Sequence, residues 1–344
     1  MLGRSTYSDR VPSLHEVAES AGVSVSTVSR YVNGQLSLKP GTEARVLAAM
    51  ESLGYPHSRR VTRPRPASTG VIGLIIPSIG TMYFGRIAEA VVAAADVNGF
   101  SVLTASTFSR VRKENDYVDL MLQKSVDAII YAGSHTTNAA LERVIASGVP
   151  VVVIDEAIEG SSVDTVLVDD YAGAYQAVAH LTSAGHRRIA LLSGPRGLTS
   201  VVERTRGFRD ALAKAEIDPD EQLVLSGAFS EDFGVGAVSH LLAAKEQPTA
   251  VFAASDTIAL GVLIGASNLG IRVPEELSVA GFDDVPAAGY VSPRLTTVRT
   301  PVDRMASSAI AMVVERLADP ARVPTTNVVP VALVLGETVA SPRS

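Results

Sequence analysis

Apolar positions in residues 13–53 recur at helical spacing, whereas from residue 71 onward short β-branched runs alternate with amphipathic stretches. In the first segment Leu14, Val17, Ala18 and Ala21 fall on one helical face. Ser13 with Glu16 makes a capping box, each side chain reaching the other's orphan backbone N–H. Gly22 breaks the run and Val23 plugs the corner. Ser24 then caps a second helix, Val25 to Val32, whose Val28 and Val32 lie one turn apart. A third amphipathic run from Thr42 to Leu53 supplies Val46, Leu47, Ala49, Met50 and Leu53 to close a three-helix core. Two short helices joined by a glycine turn predict a helix-turn-helix, whose second helix enters the DNA major groove. A generic small helical bundle is the alternative. Against it, Ser24, Ser26, Thr27, Ser29 and Arg30 make the second helix too polar for a core and suit it to phosphate oxygens and base edges.

The longer segment reads differently. Strands are expected over 71–76, 101–104, 127–131, 150–154, 165–168, 188–193, 221–225, 249–253, 277–282 and 328–335. Helices are expected between them, over 83–98, 114–124, 138–147, 172–184, 203–215, 231–244, 256–269 and 303–317. Uninterrupted apolar strands such as Val149-Pro-Val-Val-Val-Ile154 fit a parallel sheet buried on both faces. The class is therefore α/β and doubly wound, with ligands expected at the carboxyl ends of the strands.

Charge separates the two segments. The chain of 344 residues has a formal charge of −6, but residues 1–69 carry a net +4 and the remainder a net −10. A basic head on an acidic body suits a protein whose one end meets phosphate. A chain of this length needs more than one core. It has no cysteine, which excludes disulfides and thiolate metal sites. No signal-peptide-like start and no apolar run of membrane-spanning length is present, so a cytoplasmic protein without membrane contact is expected.

The head resembles a known family in detail. Val17-Ala-Glu-Ser-Ala-Gly-Val-Ser-Val-Ser-Thr-Val-Ser-Arg-Tyr-Val-Asn33 is similar to the VAxxAGVSxxTVSRVVN pattern of the lactose-repressor/galactose-repressor (LacI) family of bacterial transcription regulators. The resemblance implies that Val25, Ser26 and Arg30 stand at base-reading positions. It places Ser13, Ser24, Thr27, Ser29 and Asn33 at backbone-contacting or framing ones. Arg30 suits a bidentate contact to a guanine edge, and Val25 can read only shape or a thymine methyl. Gly185-His-Arg-Arg-Ile-Ala-Leu-Leu-Ser-Gly-Pro195, and Ser278-Val-Ala-Gly-Phe-Asp-Asp284 followed by Leu295-Thr-Thr-Val298, resemble the family's periplasmic-binding-protein-like sensor.

The expected fold is thus an N-terminal all-α helix-turn-helix domain, residues 12–56, a hinge over 57–69, and an α/β effector domain over 70–344. By the resemblance, that domain comprises two doubly wound parallel-sheet subdomains, about 70–168 with 299–324 and about 169–298 with 325–340. The chain would cross between them near 169, 298 and 325, with a small-molecule cleft between.

The hinge departs from the family. Its relatives continue as YxPNxxARxL, a short helix that wedges a leucine into the minor groove, but this chain reads Tyr55-Pro-His-Ser-Arg-Arg-Val-Thr-Arg-Pro-Arg-Pro66. Pro64 stands where the leucine belongs, and proline inside a helix costs about 3 kcal/mol. What remains is an extended basic arm with Arg59, Arg60, Arg63 and Arg65, able to enter a narrow minor groove, or else a proline-stiffened linker.

In the sensor, the resemblance makes Arg204 the ligand-binding arginine and Asp283 its acidic partner. Asp256 follows Ser255 where the family has an Asn-Asp pair, and Tyr83, Phe84 and Phe229 take ring-stacking positions. Carboxylates, an arginine and aromatic faces are the chemistry of sugar or nucleoside recognition. The implied function is a homodimeric repressor binding double-stranded operator DNA under the control of a carbohydrate or related effector, without cofactor or metal. A solute-binding protein of the same fold would have no use for residues 13–56. An α/β enzyme is disfavoured too, because the nearest phosphate-loop candidate, Gly234-Val-Gly-Ala-Val-Ser239, lacks a third glycine and follows no strand.

Overall fold

The structure is a computed structural model that describes residues 13–32, 36, 38–53, 68–133, 139–158 and 160–343. Its contacts divide the chain into two compact units, Met1–Ser68 and Thr69–Ser344.

The first unit is built on α1 (Leu14–Ala21), α2 (Val25–Val32) and α3 (Pro40–Leu53). The capping box forms: the Ser13 backbone N–H donates to Glu16 at 2.6 Å, and the Glu16 N–H donates to the Ser13 Oγ at 3.4 Å. Gly22 ends α1 at φ +65°, a left-handed turn that costs glycine nothing. Val17, Ala18, Ala21, Val28, Tyr31, Val46, Ala49 and Met50 make the core. The Tyr31 hydroxyl donates to Glu43 at 2.8 Å, tying α2 to α3 while satisfying a buried phenol. Helix α3 begins two residues earlier than the apolar pattern indicates, with Pro40 in its first turn, where a missing N–H is harmless. Leu53 is exposed rather than part of the core.

The second unit holds two parallel sheets. The first runs in the order β11-β5-β4-β3-β1-β2, with β1 (Val71–Ile76), β2 (Ser101–Ser106), β3 (Ala128–Tyr131), β4 (Val151–Ile154), β5 (Asp164–Val168) and β11 (Thr326–Val329). Helices α4 (Met82–Val97) and α12 (Val302–Ala318) bury their apolar faces on one side of it, around Ile72, Leu74 and Ile130. α5 (Val111–Gln123) and α6 (Ala139–Ala146) cover the other side. Each fully buried Ile, Leu or Val there contributes about 1.5–3 kcal/mol. The second sheet runs β7-β6-β8-β9, with β6 (Ile189–Ser193), β7 (Val224–Ser226), β8 (Ala250–Ala253) and β9 (Ser278–Ala280). It lies between α7 (Asp170–Ser183) with α8 (Thr199–Lys214) and α9 (Glu231–Ala243) with α10 (Asp256–Asn268).

The structure departs from the sequence expectation in several places. The strand expected over 328–335 is two strands split at Pro330, which has no N–H to give a ladder. The first, β11, pairs with β5 in the first sheet, so the third crossing lies at Pro330 and not near 325. The second, β12 (Ala332–Val334), pairs antiparallel with β10 (Thr297–Arg299), a strand that the pattern does not reveal. The strand expected over 221–225 starts only at Val224, because a 3₁₀ turn capped by Asp218 occupies Pro219–Glu221. A short helix α11 (Pro286–Tyr290) also follows β9 unannounced.

Candidate functional site

Helix α2 presents its polar face outward. Val25 is 40% exposed, and Ser26 and Arg30 are exposed with it, while Val28 and Tyr31 point into the core. Positions 25, 26, 29 and 30 share one side of a helix by its 3.6-residue period. Ser24 is the start of this helix: its Oγ accepts from the Thr27 N–H at 3.2 Å and lies 2.7 Å from the Thr27 hydroxyl and 2.9 Å from that of Ser26. Ser24 and Thr27 therefore frame the helix, and Ser13 frames α1. Ser29 is half-buried. Asn33, Arg59, Arg63 and Arg65 lie outside the described residues, as does most of the hinge.

The second unit encloses a cavity of about 450 Å³ between its two sheets, at the carboxyl ends of their strands. Tyr83, Phe84, Arg204, Phe229 and Asp283 all line it. Tyr83 and Phe84 open α4 just after β1, their rings edge to face with centroids 5.2 Å apart. Phe229 reaches the cavity from the loop after β7. Its ring lies over Gly194, where an added Cβ would sit 2.2 Å from Cζ, so the close approach requires glycine.

Arg204 is one turn along α8 from Ser200, and this spacing turns both inward. Its Nε donates to Asp170 at 2.7 Å and its Nη1 to the Ala254 carbonyl at 2.5 Å, and its Cζ lies 3.8 Å from the centroid of the Phe282 ring. Burial opposes the guanidinium charge, but Asp170 and Asp283 outweigh it and raise the pKa. Two residues on, Arg206 takes the surface role, pairing with Glu203 at 2.5 Å and covering Tyr171.

Asp283 follows β9 with φ +114°, a backbone region sparsely used by side-chain-bearing residues and typical of functional turns. The Asp283 N–H donates to the Val298 carbonyl at 2.8 Å, which holds the turn. Its buried Oδ1 has no hydrogen-bond partner and stands 3.7 Å from Arg204 Nη1.

Asp256 is not brought into the cavity. It is fully buried below it, accepting from the Val285 N–H at 2.9 Å and from the Thr297 hydroxyl at 2.5 Å. It positions the loop that carries Asp283. Burial pushes its carboxyl up to about 7, with the Thr297 and Val285 bonds pulling the other way.

Asp155, Glu156 and Ser200 line the cavity without having been singled out in the sequence, and Asp170 lies behind Arg204. The Tyr83 hydroxyl donates to Asp155, and Ser200 donates to Glu156 through its hydroxyl and, at 3.2 Å, through its N–H. The signal was there for Asp155 and Glu156, two carboxylates directly after the apolar strand Val151–Ile154, where doubly wound sheets place their ligands. Burial raises the pKa of both, and Asp155 rises further beside Glu156.

Residues 13–58 match the bacterial regulatory proteins of the lacI family, and residues 178–339 match the periplasmic binding protein-like domain. The HTH-type transcriptional regulator DegA of Bacillus subtilis (strain 168) is 35% identical over 298 residues, 85% of this chain and 87% of that protein. The chain belongs to the LacI family of bacterial transcription regulators. The HTH-type transcriptional repressor PurR of Vibrio atlanticus (strain LGP32) is 32% identical over 307 residues, covering 89% of this chain and 92% of its own. The solved complex of the transcriptional regulator CelR with cellobiose superposes with a TM-score of 0.74 at 30% identity, covering 95% of this chain and 99% of the other. In this LacI-family chain the helical unit carries the family's DNA-binding helix-turn-helix domain, and the α/β unit is the periplasmic binding protein-like ligand-binding domain. No helix among the described residues is long and apolar enough to cross a membrane.

Proposed function

We propose that this chain is a cytoplasmic homodimeric repressor, without enzymatic activity, that releases or grips its operator when a sugar or related metabolite fills the cavity between the sheets. The observation that carries the reading is the convergence of Tyr83, Phe84, Arg204, Phe229 and Asp283, from four separate stretches of sequence, on one cavity of about 450 Å³. Such a volume suits a monosaccharide-sized ligand. Val25, Ser26 and Arg30 read bases, while Ser13, Ser24, Thr27 and Ser29 order the two helices and meet phosphates. Two heads are needed to span half-sites one helical turn apart, hence a dimer on a pseudo-palindromic operator. Between head and sensor, Arg59, Arg63 and Arg65 add positive charge for the operator's phosphates, and Pro64 and Pro66 disfavour the family's hinge helix.

The test is a gel shift of the full chain on DNA flanking its own gene, repeated with candidate sugars and with turnover assays on the same compounds. Specific retardation relieved or enhanced by one compound supports the reading. Turnover of a compound, or retardation of all DNA alike, overturns it.

A further inference from the structure

The cavity is charged in a way that a neutral sugar does not answer. Asp155, Glu156 and Asp283 line it at 8%, 7% and 4% exposure, and among its lining residues Arg204 supplies the positive charge. That guanidinium is already shared with Asp170 and with the Ala254 carbonyl. Its distance of 3.7 Å from Asp283 Oδ1 is beyond a hydrogen bond, and that buried oxygen is left without a partner. The groups that bond Asp155 and Glu156 are hydroxyls and one backbone N–H, from Tyr83 and Ser200, and these carry no formal charge.

Four buried carboxylates therefore share one buried guanidinium, with Arg86 adding a weaker attraction at Asp283 alone. In a dry site such groups must either hold a proton or meet a counter-charge. A hydroxyl-only ligand donates hydrogen bonds but leaves the imbalance in place. Among the described residues no three His, Asp or Glu side chains are grouped so as to hold a metal ion, and a compact organic cation brings hydrogen-bond donors together with its charge. The rings of Tyr83, Phe84 and Phe229 also favour a compact cation over an anion.

We propose that the effector is an amine-bearing polyol of the amino-sugar class, its ammonium held by Asp155 and Glu156 and its hydroxyls by Arg204 and Asp283. This rests on the cavity being the effector site. Glu156 is the selecting residue, bound across the cleft to the start of α8 through Ser200.

The test is calorimetric titration of the full chain at neutral pH with D-glucosamine and D-galactosamine, each against its neutral parent sugar and its N-acetyl derivative. Each amine is expected to bind about ten- to a hundredfold more tightly than the neutral partners, the worth of one or two charge-assisted bonds. Glu156→Gln is expected to bring amine and parent sugar within about threefold of one another, since it keeps the shape and the Ser200 contact and removes the charge. Equal or tighter binding of a neutral sugar, unchanged amine preference in Glu156→Gln, or no binding of either amine overturns the proposal. A parallel gel shift separates the two readings, because amine binding without any change in operator affinity would sink the regulatory coupling and leave the ligand class standing.

Discussion

Arg204 holds the second unit together as well as facing its cavity. It is 4% exposed, with Asp170 and Asp283, also buried, on either side of it. Arg204→Met replaces the buried side chain with an apolar one of similar length but leaves two carboxylates in the interior without a cation. Removing one partner of a buried pair costs about 3–5 kcal/mol, a large share of the roughly 5–15 kcal/mol that stabilises a domain. At about 2–4 °C per kcal/mol for a unit of this size, the midpoint should fall by about 6–20 °C. Differential scanning calorimetry of the full chain reads this directly. Asp170→Asn removes the nearer charge, so the double variant should lose less than the sum of the singles, with a coupling of about 0.5–3 kcal/mol. At 20 °C the single variant should remain folded enough to bind operator DNA while failing to respond to effector. A fall of less than about 2 °C, or strict additivity in the double variant, would refute the claim that this ion pair is a structural keystone.

Arg30→Ala should cut discrimination between operator and random DNA by about 5- to 150-fold per head, one bidentate base contact being worth about 1–3 kcal/mol, with ligand titrations unchanged. Fluorescence anisotropy on both DNAs measures the ratio, and an unchanged ratio would make Arg30 a phosphate contact. Ser13→Ala breaks the capping box and should cost the small unit about 1 kcal/mol, seen as faster hydrogen exchange confined to α1. The Asp256 carboxyl, pushed up to about 7, holds a proton in the folded chain that the unfolded chain has released above about pH 4. Its contribution therefore makes stability fall as pH rises from about 4 to 7, and burial of Asp155 and Asp283 acts in the same sense. Urea midpoints should drop between pH 5 and pH 7.5, and Asp256→Asn should flatten the slope. A midpoint that rises over that range contradicts the assignment.

The sequence by itself determined what is local. The Ser13–Glu16 box, the Gly22 turn and the spacing of Val17, Ala18, Ala21, Val28 and Val46 belong to contacts within a few residues or along one helix face, and periodicity reports such contacts. The alternating strands and helices of the sensor were legible for the same reason, because each buries an unbroken apolar run. Motif likeness added Arg204, Asp283 and the three aromatic residues, which have no local signature of their own.

Only the tertiary structure decided what depends on distant partners. Pro330 splits a continuous apolar run, yet nothing near it says that Thr326–Val329 will pair with β5 and Ala332–Val334 with β10. Asp256 and Asp283 are both acidic residues at the ends of strands. One is sealed beneath the loop by Thr297 and Val285, while the other is aimed into the cavity by a left-handed backbone, and that difference is set by residues far along the chain. The pairing of Glu156 with Ser200 joins two elements 44 positions apart. The charge of a cavity is a sum over side chains brought together from the whole chain, so no window of sequence contains it.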